Sequence, residues 1–406
     1  MRRLRPAVAI FILLALVGAL AVACGSGEEA TPTPTPSDAD LHQRLAELPD
    51  EAVLALAFPE VTLEPFVPSV PYPTFLMPGR PGARLEVLGR LTGHLIRSDR
   101  PQLATFLCLK ESTGGQELQT ALGLSEGLYM VLVDIKGGQP VLGGLDVLEA
   151  SANELLEVGL AQEEGRLPFR QGVDNPIANG TIRPAVASDM DNEGVDELVL
   201  LDAGVSQGVK SAAYLTFDWS GAGLRWRRID ADGTSVRIPG NAVLDYLAAV
   251  EAAGATAEAW EGPPRALAWE WLTTTPAAPI STELLAQLAP DGNPDAQATA
   301  RRKLEATRAL LESAYGLLSA DWQRRHPWTD FVYGFRNATG VRMDQLLPPR
   351  QEGERTLVEV VIIAASREGS ISVDRRFRVT YTVVEEASGW RLDGADAREE
   401  SLPSLP

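Results

Sequence analysis

The chain has 406 residues, 45% of them apolar and 22% charged, an ordinary globular composition that excludes a wholly disordered polypeptide. Its 36 basic and 55 acidic side chains give a formal net charge of −19, which argues against a nucleic-acid binder, since that needs a basic face to neutralise phosphate. Two cysteines exclude a disulfide scaffold, and the length predicts two to three domains.

The first elements give an address. Arg2, Arg3 and Arg5 precede an uncharged apolar run over 7–23. That run is short for a membrane-spanning helix and suits the apolar core of an export signal. It ends in Ala21-Val22-Ala23-Cys24-Gly25. These residues resemble the lipobox of bacterial lipoproteins, with Ala21 where the family usually has Leu and Leu20 one position earlier. The resemblance implies a signal peptide over 1–23, lipidation of Cys24 and attachment to a membrane of the bacterial cell envelope, outside the cytoplasm. An ordinary secretory signal with an incidental Cys, or a single spanning anchor, are the alternatives. Residues 24–40 read as a tether. Beyond Cys24 they hold only small, acidic, Thr and Pro residues, including Thr31-Pro32-Thr33-Pro34-Thr35-Pro36, and alternating Pro favours an extended spacer. Loss of the three arginines makes the mature body still more acidic, so anionic headgroups would repel it and the lipid must do the anchoring.

Residues 41–263 read as mostly β, after a short capped helix over 41–48 with Asp38 ahead of it. Segment 58–81 carries seven Pro together with Phe58, Phe66, Tyr72, Phe75 and Met77. Pro blocks a central strand while the aromatics favour burial, so an extended arm packed over the body is expected, with a Pro-rich partner ligand as the alternative. Strands are predicted at 84–91, 102–109, 128–134, 197–202, 212–219 and 224–229, the last two joined by the turn Ser220-Gly221-Ala222-Gly223. Helical pieces are predicted at 116–122, 153–158 and 241–253, the last with Asn241 as N-cap and Gly254 past its end. Cys108 lies in an apolar run and reads as a buried hydrophobe. His42, His94 and His326 share no motif, which argues against a zinc site.

One loop carries chemistry. Asp189, Asp191 and Glu193 occupy positions 1, 3 and 5 of a turn, Gly194 stands at position 6, and Glu197 at position 9. Alternating carboxylates on a tight turn converge and repel one another, and a hard cation relieves that repulsion. Calcium accepts six to eight oxygens in flexible geometry, with the Val195 carbonyl as a further ligand. Position 12 is Leu200, and a strand follows in place of a helix, so the loop is not an EF-hand. It resembles the FG-GAP or VCBS repeat loop of β-propeller blades and bacterial surface proteins, with Glu193 where that family usually has Asp or Asn. The resemblance implies a structural calcium ion held by Asp189, Asp191, Glu193, the Val195 backbone and Glu197. A solvated acidic turn is the alternative. The segment 94–104 aligns as a decayed second copy, with Gln102 matching Glu197 and with His94, Ile96 and Ser98 at the ligand positions, or as an unrelated strand–turn–strand.

Residues 264–297 read as a bridge packed between domains, with a short helix at 281–288. From 298 onward Leu304, Thr307, Leu311, Ala314, Tyr315 and Leu318 repeat at helical spacing. A second short helix over 330–335, a strand at 341–346 and long strands at 356–365 and 375–385 follow, and Ser388-Gly389 turns into Trp390-Arg391-Leu392. The order of these elements, with Tyr315-Gly316-Leu317-Leu318-Ser319, Asp321-Trp322 and Phe331-Val332-Tyr333-Gly334-Phe335, resembles the nuclear transport factor-like cone fold over 298–406. That fold hosts both enzymes and non-enzymatic modules, so it names no activity. His326, Asp330, Tyr315, Tyr333 and Tyr381 are of catalytic type, but no spacing joins them and no catalytic set is assigned.

The expected architecture is therefore multidomain α+β, a β-rich propeller-like domain followed by a cone domain. The expected role is non-catalytic binding or assembly at the envelope, with an unknown envelope protein or glycan as partner and no nucleic acid. Its rivals are an enzyme or small-molecule binder using the cone cavity, and a carbohydrate-binding or adhesion module.

Overall fold

Two short helices and a strand meander open the folded body. The computed structural model describes residues 36–66, 73–77, 83–110, 127–150, 182–206, 209–219, 226–228, 238–257, 260, 263–274, 278–290, 292–368, 371–387 and 389–401. The signal run, Cys24, the tether up to residue 35, the expected helices at 116–122 and 153–158 and the turn at 220–223 lie outside these residues. From Asp38 the chain forms one compact unit with both helices and strands, an α+β body. Among the described residues, no helix is long and apolar enough to cross a membrane.

The first sheet runs β1 (Glu64–Phe66), β2 (Thr74–Leu76), β3 (Arg84–Gly93), β4 (Gln102–Lys110), β5 (Gly127–Lys136) and β6 (Gln139–Ala150), each antiparallel to the next. The Pro-rich arm supplies its edge, β1 and β2, and buries Phe75 and Met77. Alternation along the strands makes two apolar faces. One carries Leu85, Leu103, Leu107, Tyr129 and Val131, and is covered by helices α1 (Asp38–Ala46) and α2 (Asp50–Ala57) through Leu45, Val53 and Leu54. The other carries Leu88, Ala104, Phe106, Cys108 and Met130. It meets Leu198, Leu200, Leu215 and Phe217 of a second sheet, so Cys108 is a core residue. That second sheet holds β7 (Ile182–Ser188), β8 (Glu197–Ser206), β9 (Val209–Trp219) and β10 (Trp226–Arg228), in the order β10-β9-β8-β7. The two sheets thus share one apolar layer.

Helix α3 (Pro239–Ala257) lies beneath the second sheet. The sequence expectation needs correction at both ends. Asn241 sits inside the helix, where its Oδ1 accepts from the Thr216 hydroxyl at 3.2 Å. Gly254 does not end it. A Cβ there would stand 3.2 Å from the Gly340 nitrogen and 3.3 Å from the Thr339 carbonyl carbon, so this glycine admits the backbone of the next sheet. Fifteen of the 19 residues are buried, because the helix is apolar nearly all round and is packed on opposite sides. One side meets Val199, Leu201 and Tyr214 of the second sheet, the other Val341, Met343, Val360 and Val379 of a third. Its polar side chains bond outward to the sheets. Glu251 accepts from the Val341 N–H, and the Thr256 hydroxyl accepts from the Lys210 N–H at 3.1 Å.

The stretch expected as a bridge is helical: α4 (Pro263–Leu272), α5 (Thr282–Leu288) and the start of α6 (Pro294–Gly316). Helix α6 starts earlier than its apolar repeat, because Asn293 caps it by accepting from the Asp295 N–H at 2.9 Å and Pro294 suits the first turn. Leu304 and Leu311 of α6 join Trp260, Trp269, Trp271 and Leu272 around a helical core. Arg308 lies in that core. Its guanidinium is 5.6 Å from the Trp271 ring and 5.2 Å from the Trp328 ring, and donates to the Thr274 carbonyl at 3.0 Å.

Helices α7 (Ala320–Arg325) and α8 (Trp328–Gly334) lead into the third sheet, with β11 (Ala338–Leu346), β12 (Arg350–Glu352), β13 (Arg355–Glu368), β14 (Ile371–Glu386) and β15 (Gly389–Glu400). Its order is β11-β13-β14-β15, with β12 also on β13. Val379, Tyr381 and Val383 face the core as alternation predicts, while Arg376 and Arg378 pair outside with Asp344, Glu359 and Glu400. Ser319 ties α7 to β15. Its N–H donates to the Leu392 carbonyl at 2.7 Å and its hydroxyl to Asp393 at 2.6 Å.

Candidate metal centre in the 189–197 loop

The acidic loop joins β7 to β8, and its fold follows from its own side chains. Asp189 accepts from the Gly194 N–H at 2.9 Å, and Asp191 accepts from the Glu193 N–H at 3.0 Å. These bonds wind the backbone tightly enough to require positive φ at Asn192 (63°) and Gly194 (87°). Asn tolerates that region and Gly meets no steric cost there. Glu197, the first residue of β8, points back into the loop and accepts from the Met190 N–H at 2.5 Å.

The result is a convergent oxygen site. One carboxylate oxygen from each of Asp189, Asp191 and Glu197 lies within 4.8 Å of the others. Ligands around a calcium ion at 2.3–2.6 Å can be no further apart than about 5 Å, so this spacing fits. Asp189 Oδ1 is buried without a hydrogen-bond donor, the state in which a polar atom is costly unless a cation meets it. Glu197 is 2% exposed, and burial pushes its carboxyl up to about 8. Asp191 is raised too, first by burial and then by the neighbouring charges of Glu193 and Asp189. Of the other expected ligands, Glu193 is exposed beside Asp191 and outside the trio, and Val195 is half-buried on the same turn.

The loop is also a junction. Met190 is buried against the first turn of α3, at Gly240, within the core that α3 shares with the second and third sheets. The Asn192 amide donates to the Pro349 carbonyl at 3.3 Å. On the opposite side Asp196 clasps the loop between β3 and β4: its carboxylate accepts from the His94 N–H at 2.7 Å, and its own N–H donates to the His94 carbonyl at 3.0 Å. Gly93 permits that approach, since a Cβ there would lie 2.4 Å from the Asp196 carboxylate. The clasped loop has a similar internal bond, with Gln102 at the head of β4 accepting from the Ile96 N–H at 3.0 Å. All three sheets therefore meet at residues 189–197.

A second feature is a cleft in the C-terminal part, where the sequence offered a cone cavity but no spacing to assemble its lining. Tyr246 of α3, Trp322, Arg325 and His326, Asp330, Phe331 and Phe335 of α8 and its flank, and Gly394 and Ala395 of β15 line a cleft of about 420 Å³. His326 and Asp330 thus both line this cleft, and both are exposed. Tyr315 and Tyr381 are held elsewhere. The Tyr315 hydroxyl bonds to the His326 carbonyl at 3.2 Å, and the Tyr381 ring packs edge-on to Tyr246 at 5.9 Å. Tyr333 is exposed under Arg336, 3.9 Å away.

No protein-family model matches the chain, and comparison with curated proteins and with solved structures finds none similar to it.

Proposed function

We propose that this chain is a lipid-anchored protein of the bacterial envelope, attached through Cys24, whose body is fastened by a calcium ion at Asp189, Asp191 and Glu197 and whose role is binding or assembly. The observation that carries the calcium reading is the buried, donor-less Asp189 Oδ1 facing two further carboxylates. Its position at the meeting of three sheets favours a structural ion over a reacting one. Both the 94–102 and the 189–197 loop bond a backbone N–H to the side chain at the head of the following strand, with the donor one residue out of step with the alignment (Ile96 in place of Leu95), and this partial likeness is what supports the reading of the β-rich part as a diverged FG-GAP or VCBS-like unit, with the propeller-like arrangement as its finer form. Helices α6 to α8 ahead of an antiparallel sheet support the nuclear transport factor-like reading of 298–406.

Thermal melting with excess calcium and with chelator tests this. Saturation a hundredfold above the dissociation constant adds about 2.7 kcal/mol to the folded state. The expected result is a calcium-dependent rise in Tm that is absent from Asp189→Ala/Asp191→Ala. A wild type indifferent to calcium returns the loop to an acidic turn. Membrane fractionation of Cys24→Ala, expected to release the protein, tests the anchor separately.

A second reading places a small ligand in the C-terminal cleft. Its lining combines the aromatic side chains Tyr246, Trp322, Phe331 and Phe335 with the polar Arg325, His326 and Asp330, the mixture that binding sites favour. The glycan-binding reading has less to stand on, since the exposed large aromatics among the described residues, Phe66 and Tyr333, belong to β1 and α8 and not to the acidic loop.

A further inference from the structure

Two of the three histidines in the chain meet at one carboxylate. Asp38 and His42 stand one turn apart on α1, and His94 follows the last residue of β3. His94 Nε2 is 3.2 Å from Asp38 Oδ1, and His42 Nε2 is 3.6 Å from Asp38 Oδ2. One ligand atom from each residue lies within 4.8 Å of the others. The two rings are edge-on with centroids 5.7 Å apart, and each turns its Nε2 toward Asp38. A tetrahedron with bonds of 2.0–2.1 Å has edges of about 3.4 Å, and the two separations, each to a different oxygen of Asp38, lie close to that value.

We infer that Asp38, His42 and His94 form a binding site for one zinc-class divalent cation, separate from the calcium loop. The donor chemistry divides the two sites. Imidazole nitrogen suits zinc and its neighbours, whereas calcium takes oxygen. Three protein ligands leave a fourth position, and the side chains, from 28% to 54% exposed, leave it open to water or to an incoming donor. The site also has a fixed wall. His94 is held at its backbone by Asp196 from both sides, so it cannot drift from α1 without breaking that clasp. A cation there fastens α1, the first element after the tether, to the end of β3.

The test uses the full chain, purified in detergent without a polyhistidine tag. After equilibration with micromolar zinc and gel filtration, bound metal is counted by mass spectrometry. Cobalt substitution then reads the coordination from its visible absorption. The expected result is one zinc per chain, a tetrahedral cobalt spectrum, and loss of both in His42→Gln and in His94→Gln. His42 is partly exposed on α1, and an unchanged far-UV dichroism spectrum and cooperative melt in His42→Gln separate lost ligation from lost folding. Asp191→Asn is expected to keep its zinc, which distinguishes this site from the acidic loop, and a failed calcium shift leaves the zinc count unaffected. No zinc retained by the wild type, or retention undiminished in either histidine variant, would overturn the site and leave a His94–Asp38 hydrogen bond with His42 beside it.

Discussion

Glu197→Gln separates the charge of the central carboxylate from its shape. The Gln carbonyl can still accept from the Met190 N–H, so the loop keeps its internal bond. In chelator, the wild-type Glu197 carboxyl in the folded state is raised from 4.5 to about 8 by burial. Between those values the folded chain holds a proton that the unfolded chain has released. Stability from this group is therefore complete below pH 4.5 and is lost as pH rises through 8. At 1.36 kcal/mol per unit, the loss between pH 5.5 and 8 is about 3 kcal/mol. Urea denaturation in chelator at half-unit pH steps measures it, and subtracting the Glu197→Gln series removes every contribution the two chains share. Calcium should abolish the decline, because the cation replaces the proton, and the variant should show neither the decline nor the calcium shift. A wild type whose chelated stability is level over that range, or a variant that declines in parallel with it, would refute the reasoning.

Two further substitutions probe the packing. Gly254→Val would drive a branched side chain into the Gly340 and Thr339 backbone, and should lower stability by about 2 kcal/mol or more in urea titration although Val is the better helix former. Arg308→Lys should lose about 2 kcal/mol by the same measurement, since an ammonium cannot stack between Trp271 and Trp328 while reaching the Thr274 carbonyl, and Arg308→Ala should lose at least as much.

What was legible in the sequence was local. The acidic loop could be read because its three converging carboxylates fall within nine residues and the turn itself folds them together. The strands β3, β4, β5, β8 and β9 and the helices α5 and α6 could be read because alternation, helical spacing or capping marks them. Gly254 misled because a glycine after an apolar helical run signals a stop, and the same residue type also serves where two backbones touch. Only the third sheet decides between these, and it lies some 80 residues further on. Helix α2 was missed because its apolar run Ala52-Val53-Leu54-Ala55-Leu56-Ala57 shows no polar face to set a period. His94 could not be joined to His42 by any spacing rule, since the register of β3 against its neighbours is what sets it beside α1. The cleft likewise draws on α3, α7, α8 and β15, which no short window contains.

Helix α3 has a consequence for how this chain can be divided. Its two apolar sides complete two different sheets, so neither β-portion can be released without exposing a strip of Ala, Val and Leu. A fragment cut before α3 would leave Val199, Leu201 and Tyr214 of the second sheet bare, and one cut after it would uncover Val341, Met343 and Val379 of the third. Exchange of either half for a relative's would have to carry a matching helix with it, including a residue without a side chain where α3 meets β11. The unit that can be inherited, truncated or transplanted intact is therefore the whole body from Asp38 onward.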